Sequence, residues 1–566
     1  MNEQGLPVRP ILCGAAWKPP ERPPLVFRPV NWVIAGSRRT YLAFVRLLVR
    51  QGIITLLLLA GVVFLIGWCG RRVPETLLPK EDRGYIRANI ELAEGASLQR
   101  TIDVVEEFNT RVRAIPGVDS VSSSTGASPV NGTGENYGGS LIRLKHWDQR
   151  KSPELQIEAV MSEIEKRTAD LHAAKITLFT PPAIRGLGSL GGVGFWVCSV
   201  GDFTPHDLAR TMSSISETLK RDLKTERCAY GFNANTPQLY LDLDRKKAES
   251  LGVTAKTIFS TLQNKLASFY VNDFNMKGGS YEVIVQSQAD YRSTVKDIME
   301  IRFPGANGGM VPLAAIGKIR YSVGPREVKR FNKMQGAWIN IQTPPGMTNL
   351  QVLEHAEKLD LPSACHIEYS GIGLQEKENQ GQILWLMALA IFFAYLFLVA
   401  QYESWMIPVP VMLSVAVAIC GALGGLLLTG TEMSIYAQLG LVMLIGLAAK
   451  NAILMVEFSM RERERGVPVR DAAVNGANLR YRAVMMTAWS FLFGVFPLVR
   501  ATGAGASAQR AIGITTFSGM LSATLVGIIF VPALYCVFQR VREALKRMVA
   551  PARQATETER QENPKT

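Results

Sequence analysis

The sequence predicts an α-helical membrane bundle of six transmembrane helices joined to a large α+β region outside the membrane. Six apolar stretches are each long enough to cross roughly 30 Å of hydrocarbon. A polar region between the first stretch and the other five is too long to be an ordinary loop, so it must contain folded domains. The composition, 48% hydrophobic and 19% charged with a mean hydropathy of +0.11, fits a protein partly in the membrane and partly in water.

The six stretches divide as one span followed by five. We assign residues 51–70 to the first transmembrane helix and residues 380–538 to a bundle of five. About 20 apolar residues suffice for one crossing, because an α-helix rises about 1.5 Å per residue. The predicted spans are Gly52 to Trp68, Gln382 to Ala400, Ile407 to Leu428, Ile435 to Val456, Ala483 to Val499 and Ile512 to Val537.

The net charge of +14 orients the chain in a membrane rather than indicating a nucleic-acid partner. Arginine is concentrated beside the apolar stretches, and the positive-inside rule places such flanks in the cytoplasm. We therefore expect both termini in the cytoplasm, including a basic tail at residues 539–566, and the long polar region outside. Arg71 and Arg72, at the outer end of the first span, weakly oppose this orientation. The arginine-rich segments are Arg38 to Arg50, Arg461 to Arg482 and Arg540 to Arg553.

Residues 71–180 are expected to form a first outer subdomain. Period-2 and period-3.6 apolar patterns alternate along it in the order βαββαβ, which suits a ferredoxin-like sandwich. The polar stretch Ser122 to Tyr137 is predicted to be a loop. The strands and helices are predicted at Gly84 to Leu92, Ser97 to Arg113, Val118 to Ser123, Gly139 to Leu144, Pro153 to Leu171 and Ile176 to Phe179.

A second subdomain of the same kind is expected at residues 181–243 and 325–375, interrupted by an insertion at residues 244–324. Within the insertion, Ser268 to Phe274 and Ser280 to Gln286 are rich in β-forming residues. They predict a hairpin closed by the glycine-containing loop Asn275 to Gly279. The other predicted elements are Gly194 to Val200, Pro205 to Leu223, Gln238 to Leu243, Ala337 to Gln342, Asn349 to Leu359 and His366 to Ser370.

An enzyme or a resident metal has little support in the residues. The seven cysteines show no C-x-x-C spacing, and the five histidines lack the spacing of metal ligands. Neither a phosphate-binding glycine loop nor a nucleophile elbow occurs. Dispersed methionines in the outer region are usually packing residues, but they leave a soft metal open as transported cargo.

Lys450 is the most informative residue, because it lies with Asn451 inside the apolar run Leu439 to Val456. An unpaired ammonium at mid-bilayer costs roughly 2.5–3.5 kcal/mol or more, so it needs a partner. The next carboxylate on the same helix, Glu457, is two turns away, roughly 10 Å along the axis. The counter-charge of Lys450 is therefore expected elsewhere. The alternative is a structural lysine facing a wet cavity.

Several motifs resemble the resistance-nodulation-division (RND) proton-driven efflux permeases, specifically the hydrophobe/amphiphile efflux branch of Gram-negative inner membranes. The matching segments are Gly446-Leu-Ala-Ala-Lys-Asn-Ala-Ile-Leu-Met-Val-Glu-Phe458, Tyr402-Glu-Ser-Trp-Met-Ile-Pro408, Ala501-Thr-Gly-Ala-Gly-Ala-Ser-Ala-Gln509, Tyr270-Val-Asn-Asp-Phe274 and Leu78-Pro-Lys-Glu-Asp-Arg-Gly84. The resemblance implies only spans seven to twelve of a duplicated twelve-span pump. Residues 1–50 are then expected to hold the cytoplasmic tail of a missing sixth span, at Leu6 to Pro19, followed by an amphipathic segment from Phe27 to Val49 on the membrane surface.

The resemblance also implies a proton relay at Lys450, Thr487 and Arg480, with Asn451 as an alternative partner for the lysine. The family pairs these groups with two aspartates on the fourth span. Between Gln382 and Val537 the only aspartate of this sequence is Asp471, in an arginine-rich loop. We therefore expect a separate N-terminal half to supply the carboxylates, with the proton gradient as the energy source and without a cofactor. Arg480 lies near a span end, so snorkelling to the interface is an equal alternative for it.

The same resemblance implies a substrate cleft between the two outer subdomains. Its candidates are Phe195 and Trp196, together with the predicted loop Ser122 to Tyr137, which contains Ala127 and Pro129. The family's drug exporters carry phenylalanines where Ala127 and Pro129 stand, so fewer aromatic contacts with a substrate are expected. An alternative is that Phe195 and Trp196 simply alternate between core and surface.

For the insertion, the resemblance implies contact with a periplasmic adaptor or an outer-membrane channel. Its hairpin is expected to reach into a neighbouring protomer of a homotrimer through Phe269, Tyr270, Asn272, Asp273 and Phe274. The expected location is the bacterial inner membrane, with the polar region in the periplasm. Three alternatives stay open: an inactive fragment of an interrupted gene, a metal-exporting half of the same family, and a six-span accessory of protein export.

Overall fold

The computed structural model describes residues 28–562, apart from positions 129, 181, 183, 185–189, 226, 307 and 345. The predicted tail at Leu6 to Pro19 lies outside the described residues. The amphipathic segment forms helix α1 (Arg28–Arg50), and helix α2 (Gly52–Gly70) follows it after a single residue. One face of α1 is buried against the membrane bundle, through Tyr41, Leu42, Val45, Leu48 and Val49.

The first outer subdomain is a four-stranded antiparallel sheet covered by two helices. The strands lie in the order β2-β3-β1-β4. Alternate residues of the strands and one face of each helix meet in a core that includes Ile86, Ile90, Phe108 and Ile164, all fully buried. In chain order its elements are β1 (Tyr85–Leu92), α3 (Leu98–Arg113), β2 (Val118–Ser128), β3 (Gly132–Leu144), α4 (Ile157–Thr168) and β4 (Ala174–Phe179).

The prediction of a loop from Ser122 to Tyr137 is wrong. This stretch forms the distal half of the β2–β3 hairpin, in which Ala127 pairs with Thr133 and Ser128 with Gly132. The small polar residues of this stretch show no apolar alternation, so the sequence pattern does not indicate strands here. The hairpin forms without that pattern, because the backbone N–H and C=O groups of its two strands pair with each other.

A second subdomain repeats the plan with an interrupted chain. Strand β5 lies between β14 and β15 in an antiparallel sheet, and β6 and β13 both pair with β14. Its buried core contains Phe195, Val197, Met212 and Ile339. Its elements, before and after the insertion, are β5 (Val193–Ser199), α5 (Pro205–Leu223) and β6 (Cys228–Tyr230), then β13 (Arg330–Phe331), β14 (Met334–Ile341), α10 (Asn349–Glu357) and β15 (Cys365–Tyr369).

The insertion begins earlier than predicted: the strand expected at Gln238 to Leu243 of the second subdomain pairs instead with Gly317–Gly324 at the end of the insertion, outside the main sheet. Among the described residues the insertion has three two-stranded ribbons and four short α-helices. Its predicted hairpin is present, but the turn is shorter than predicted: Lys277 and Gly278, both with positive φ, form a two-residue turn. The elements are β7 (Thr236–Leu243), α6 (Arg245–Ser250), α7 (Ala255–Leu262), β8 (Phe269–Met276), β9 (Gly279–Val285), α8 (Val295–Met299), β10 (Arg302–Pro304), β11 (Met310–Pro312), α9 (Leu313–Ile316) and β12 (Gly317–Gly324).

Six helical segments of the described chain are long and apolar enough to cross a membrane. A short helix, α11 (Gly371–Asn379), leads from β15 into the last five of them. Three of these run well beyond the predicted apolar stretches toward their basic ends, because helix propensity does not stop at the membrane surface. The bundle helices are α12 (Gln382–Tyr402), α13 (Pro408–Thr429), α14 (Ile435–Glu464), α15 (Val469–Val499), α16 (Ala506–Ser522) and α17 (Ile528–Glu562), the last two joined by a π-helical stretch at Ala523–Gly527.

The contact between α1 and the bundle depends on a proline in the last span. Pro532 has no backbone N–H, so the carbonyl of Ile528, four residues earlier, lacks its usual helical donor. The Tyr41 hydroxyl of α1 donates a hydrogen bond to that carbonyl at 3.2 Å. The Tyr41 ring also stacks on Tyr481 of α15, with 4.7 Å between ring centroids. One tyrosine thus fastens the amphipathic helix to two spans.

Candidate functional site

Lys450 lies halfway along α14, on the helix face that is exposed in this chain. The opposite face, with Leu444, Ala448 and Met455, packs against the other spans. Exposed Leu439, Val442 and Met443 lie on the same stripe as the lysine. Within the described residues, the Lys450 ammonium has no hydrogen bond or ion pair. A cation therefore stands unneutralised on an otherwise apolar helix surface.

Asn451, the neighbour of Lys450, faces inward. Its side chain is buried, and its Nδ2 has no hydrogen-bond partner among the described atoms. A buried amide that donates no hydrogen bond is costly, by about 1–3 kcal/mol. Asn451 is thus the one polar side chain beside Lys450 that is both buried and incompletely satisfied.

Thr487 lies on the exposed side of α15, and its hydroxyl is engaged by its own helix. The Oγ1 atom donates to the carbonyls of Ala483 and Val484 at 3.1 and 3.0 Å. Such back-bonding is common for threonine in membrane helices. The structure places Thr487 and Lys450 on packed neighbouring helices without a direct hydrogen bond between them.

Arg480, one turn from the inner end of the same apolar stretch, stacks on an aromatic ring. Its guanidinium carbon lies 3.7 Å from the ring centroid of Phe458 on α14. The close approach is possible because α14 and α15 meet at Gly476, where an added Cβ would lie 2.3 Å from Ser459 Oγ. Phe458 closes the Lys450 motif, but the motif by itself does not indicate this contact. Its ring fixes the guanidinium by a cation–π contact.

A cavity of about 700 Å³ lies between the two outer subdomains. Its wall is mostly polar: Lys175 of the first subdomain extends over the Tyr230 ring of the second, at 5.3 Å. Burial raises the pKa of Glu91 above its usual value, partly offset by Lys175. Burial also raises the pKa of Tyr137 to about 12.

Hydrogen bonds cross the rim of this cavity. The Glu94 carboxylate of the first subdomain accepts from Asn233 Nδ2 at 3.0 Å, in the loop between β6 and β7, and from Thr236 Oγ1 at 3.1 Å, at the start of β7. Arg326 returns from the insertion and lies over the Tyr137 ring at 5.6 Å. These contacts link the two subdomains across the rim of the cavity.

Three of the four predicted cleft residues lie away from this wall. Phe195 is fully buried in the core of the second subdomain, and Trp196, on the opposite face of β5, stacks on Phe331 at 5.1 Å between centroids. Ala127 borders a separate groove of about 370 Å³ along the β2–β3 hairpin. Pro129 lies outside the described residues. The residues of the wall come from six separate stretches of chain, of which the sequence indicated one: the segment Ser122 to Tyr137 supplies Asn131, Thr133 and Tyr137.

The β8–β9 hairpin of the insertion is exposed along most of its length. All eight residues of β8 are exposed, among them Phe269, Tyr270, Asn272, Asp273 and Phe274. The Phe274 ring contacts Tyr281 of β9 at 5.7 Å between centroids. Exposed aromatic side chains on both strands give the hairpin a surface suited to contact with another protein. As for metals, the described residues contain no group of three or more His, Cys, Asp or Glu able to hold an ion.

These features define a polytopic membrane protein in which an apolar span carries a lysine and two α/β subdomains enclose a cavity. The chain belongs to the AcrB/AcrD/AcrF family of RND permeases, whose model matches residues 5–539. Membership of the RND family, which the sequence motifs predicted, is thus confirmed, and the proteins of this family are transporters rather than enzymes.

Relatives of the chain are efflux pump transporters. It is 33% identical over 488 residues to the toluene efflux pump membrane transporter TtgB of Pseudomonas putida, covering 84% of this chain and 46% of that protein. It is 32% identical over 499 residues to the multidrug export protein AcrF of Escherichia coli, covering 87% and 48%. It is 30% identical over 556 residues to the multidrug resistance protein MdtF of Escherichia coli, and this match covers 95% of this chain and 53% of that protein. The chain thus spans about half the length of these relatives.

Proposed function

We propose that this chain works as the C-terminal half of a proton-driven RND permease of the hydrophobe/amphiphile efflux branch. In this proposal an N-terminal half supplies the proton-binding carboxylates. One observation carries the proposal: Lys450 stands exposed on an apolar span, and the only aspartate from Gln382 to Val537 is Asp471, at the basic inner start of α15. A carboxylate about 4 Å from Lys450 would supply about 4 kcal/mol at an effective dielectric constant of 20, enough to offset its burial.

The proposed cycle is a change of partner by the Lys450 ammonium. Ionised carboxylates of the other half hold the ammonium against the exposed stripe of α14. Protonation removes their charge, and Lys450 then turns toward the side chain of Asn451 or the hydroxyl of Thr487. Arg480, fixed over Phe458, keeps positive charge at the inner end of α15. The helices tilt and pass the motion to the outer subdomains. The proton gradient supplies the energy, and no cofactor takes part.

Substrate handling is proposed for the cavity between the outer subdomains, which act as ferredoxin-like porter units. Its polar wall favours amphiphilic compounds that carry hydrogen-bonding groups over purely aromatic ones. The exposed hairpin is proposed to enter a neighbouring protomer of a homotrimer, and the rest of the insertion to contact a periplasmic adaptor and an outer-membrane channel. This arrangement places the chain in the inner membrane, with both termini in the cytoplasm and the outer subdomains in the periplasm.

Co-production tests the proposal. Cells would make this chain alone, or with an N-terminal half that carries an intramembrane aspartate pair, and efflux of a fluorescent amphiphilic dye would be followed. We expect efflux only with both halves, at least a tenfold loss with Lys450→Ala, and partial activity with Lys450→Arg. Met443→Ala, on the same exposed stripe, is the matched control. Efflux by this chain alone, or undiminished efflux with Lys450→Ala, would refute the proposal, whereas no efflux in any combination would favour an inactive fragment.

A further inference from the structure

The segment between the first span and the first outer strand, residues 73–82, contacts three separate parts of the molecule. We call it the junction strap. We propose that the strap transmits movement between the outer subdomains and the spans, and that Glu376 and Lys80 are the positioning residues that hold it. The inference rests on the proposed transport function and adds to it the route of coupling on the outer side of the membrane.

On its membrane side, the strap pairs with the loop between α13 and α14. Met433 N–H donates to Pro74 O at 2.8 Å, Thr76 N–H donates to Met433 O at 3.3 Å, and Ile435 N–H donates to Leu77 O at 3.1 Å. These bonds make a short parallel pairing of the strap with the chain that enters α14. The outer end of the span that carries Lys450 is therefore fixed to the strap.

On its outer side, the strap is held by a buried carboxylate. Glu376 of α11 is only 5% exposed. Its two oxygens accept from Leu77 N–H at 2.9 Å, Thr76 Oγ1 at 3.3 Å and Asn349 Nδ2 at 3.1 Å. Asn349 begins α10 of the second subdomain, so one carboxylate joins the strap, that subdomain and the helix leading into α12.

Lys80 fastens the other end of the strap to the second subdomain. Its ammonium donates to the carbonyls of Thr343, Pro344 and Met347, at 3.2, 2.9 and 3.3 Å. These carbonyls belong to the loop before α10, the same helix that Glu376 reaches through Asn349. In turn, the backbone carbonyl of Lys80 accepts from Ser507 Oγ at the outer end of α16, at 2.7 Å.

The two fasteners have unusual environments for surface charges. Burial raises the pKa of Glu376, although its three donors act in the opposite direction. Desolvation of its ammonium lowers the pKa of Lys80, and attraction to Glu432 in the α13–α14 loop partly offsets this. Glu376 is buried with its hydrogen bonds made, so a displacement would leave its carboxylate without partners or water. The Lys80 side chain is exposed, and three hydrogen bonds to backbone carbonyls hold its ammonium in place.

This geometry implies a defined path. When the second subdomain moves, the loop before α10 and helix α11 move with it. Lys80 and Glu376 then pull the strap, which shifts the outer ends of α2, α14 and α16 together. The path runs through backbone hydrogen bonds and two charged side chains. Substitution of either side chain can therefore weaken it without changing the residues around Lys450.

The test uses the full chain co-produced with its N-terminal half. Hydrogen–deuterium exchange would be measured on the amides of Thr76, Leu77, Met433 and Ile435, and dye efflux would be measured in the same cells. Glu376→Ala is expected to speed exchange of these amides at least tenfold and to reduce efflux at least fivefold. Glu376→Gln, which keeps an acceptor for Leu77, should lie between, and Lys80→Met should loosen the strap from its other end.

Glu378→Ala is the matched control, because Glu378 is an exposed carboxylate two residues along the same helix. Should Glu376→Ala and Lys80→Met leave the exchange within twofold of the unaltered protein, the strap is not held as proposed. Faster exchange with normal efflux would show that the strap does not couple movement. Failure of the proposed function looks different: the unaltered chain would then give no efflux with any N-terminal half, and the coupling role would fall with it.

Discussion

Phe195 and Trp196 are adjacent residues with opposite surroundings. Phe195 is fully buried in the core of the second subdomain, whereas Trp196 stacks on Phe331 near the surface. Phe195→Ala should therefore lower the free energy of unfolding of the outer region by about 3–5 kcal/mol, because it removes buried area and leaves a cavity. Trp196→Ala should cost less, about 1–2 kcal/mol, since only a partly exposed ring contact is lost.

Denaturant unfolding of the purified protein, followed by far-ultraviolet circular dichroism, measures both changes. Trp196→Ala is the matched control for loss of an aromatic side chain from β5. An equal and small loss of stability in the two variants would contradict the burial of Phe195.

The importance of some single residues can be predicted from the sequence alone, and that of others cannot. Lys450 was predictable, because a cation in an apolar run is unfavourable whatever surrounds the helix. The contact of Phe458 with Arg480 was not, since it depends on the close approach of α14 and α15 at Gly476. Glu376 gave no signal either. Its partners lie 27 residues away in one case and 300 in another, so only the folded chain brings them together.

At the scale of elements, α13 and α16 pack against each other through small residues. A Cβ added at Gly421 would lie 2.1 Å from Ser522 Cβ and 2.9 Å from the Ser518 carbonyl oxygen. Gly421→Ala should therefore separate the helices and destabilise the bundle by about 1–3 kcal/mol. Gly424→Ala, where an added Cβ meets nothing within 4 Å, should be neutral or slightly stabilising. Thermal unfolding in detergent compares the two, and equal midpoints would rule out close packing at Gly421.

A second element-scale prediction concerns pH and the contact between α10 and α11. Lys377 donates to Glu357 at 2.6 Å and Tyr369 donates to it at 2.7 Å, and these bonds lower the pKa of Glu357. A carboxyl group whose pKa is lower in the folded state stabilises the fold at pH values above its pKa in the unfolded chain, about 4.3. That stabilisation is lost as the pH falls through the pKa of the folded state. The contact is partly exposed, so its contribution is at most about 1 kcal/mol.

We therefore expect amide protection in α11 to weaken below about pH 4 in the unaltered protein. In Glu357→Gln the protection should be weaker at neutral pH and change less with acid. Hydrogen exchange measured from pH 3 to 7 provides the comparison, with Glu354→Gln as the control on the exposed face of the same helix. A parallel pH dependence in all three proteins would exclude this contact as the cause.

Helices and strands could be predicted where the apolar pattern is strong. They were harder to predict where backbone hydrogen bonding to a partner strand determines the structure. The spans and the amphipathic helices of the outer region follow from their periodicity. The polar half of the β2–β3 hairpin does not, because Ser, Thr and Gly are typical of loops and only the partner strand reveals the pairing. The hairpin turn at Lys277 and Gly278 was predicted too long for a related reason: Asn275 and Met276 pair with Gly279 and Ser280 through the backbone.

At the scale of the whole molecule, the two outer subdomains are joined on one side by a buried arginine. Arg227, in the loop before β6, pairs with Glu158 at 2.8 Å and Glu165 at 2.7 Å, both on α4 of the first subdomain. The side chain of Arg227 is 13% exposed. A second link, between Thr180 and Gln342, consists of two hydrogen bonds at 2.8 and 3.3 Å. These contacts hold the two subdomains together on this side of the cavity.

Arg227→Gln should therefore favour opening of the cavity, because it removes both ion pairs while keeping a side chain of similar length. The expected loss is roughly 1–3 kcal/mol of closed-state stability, since each carboxylate stays partly solvated when its partner is gone. Hydrogen exchange of α4 and of the loop before β6 should rise by about tenfold, as about 1.4 kcal/mol corresponds to one factor of ten. Arg221→Gln is the control: its exposed side chain pairs with the adjacent Asp222 at 3.3 Å and crosses no boundary. If both variants exchanged at the rate of the unaltered protein, the opening of the cavity would be set by the rim contacts of Glu94 and Arg326 instead, and those would become the residues that govern access to it.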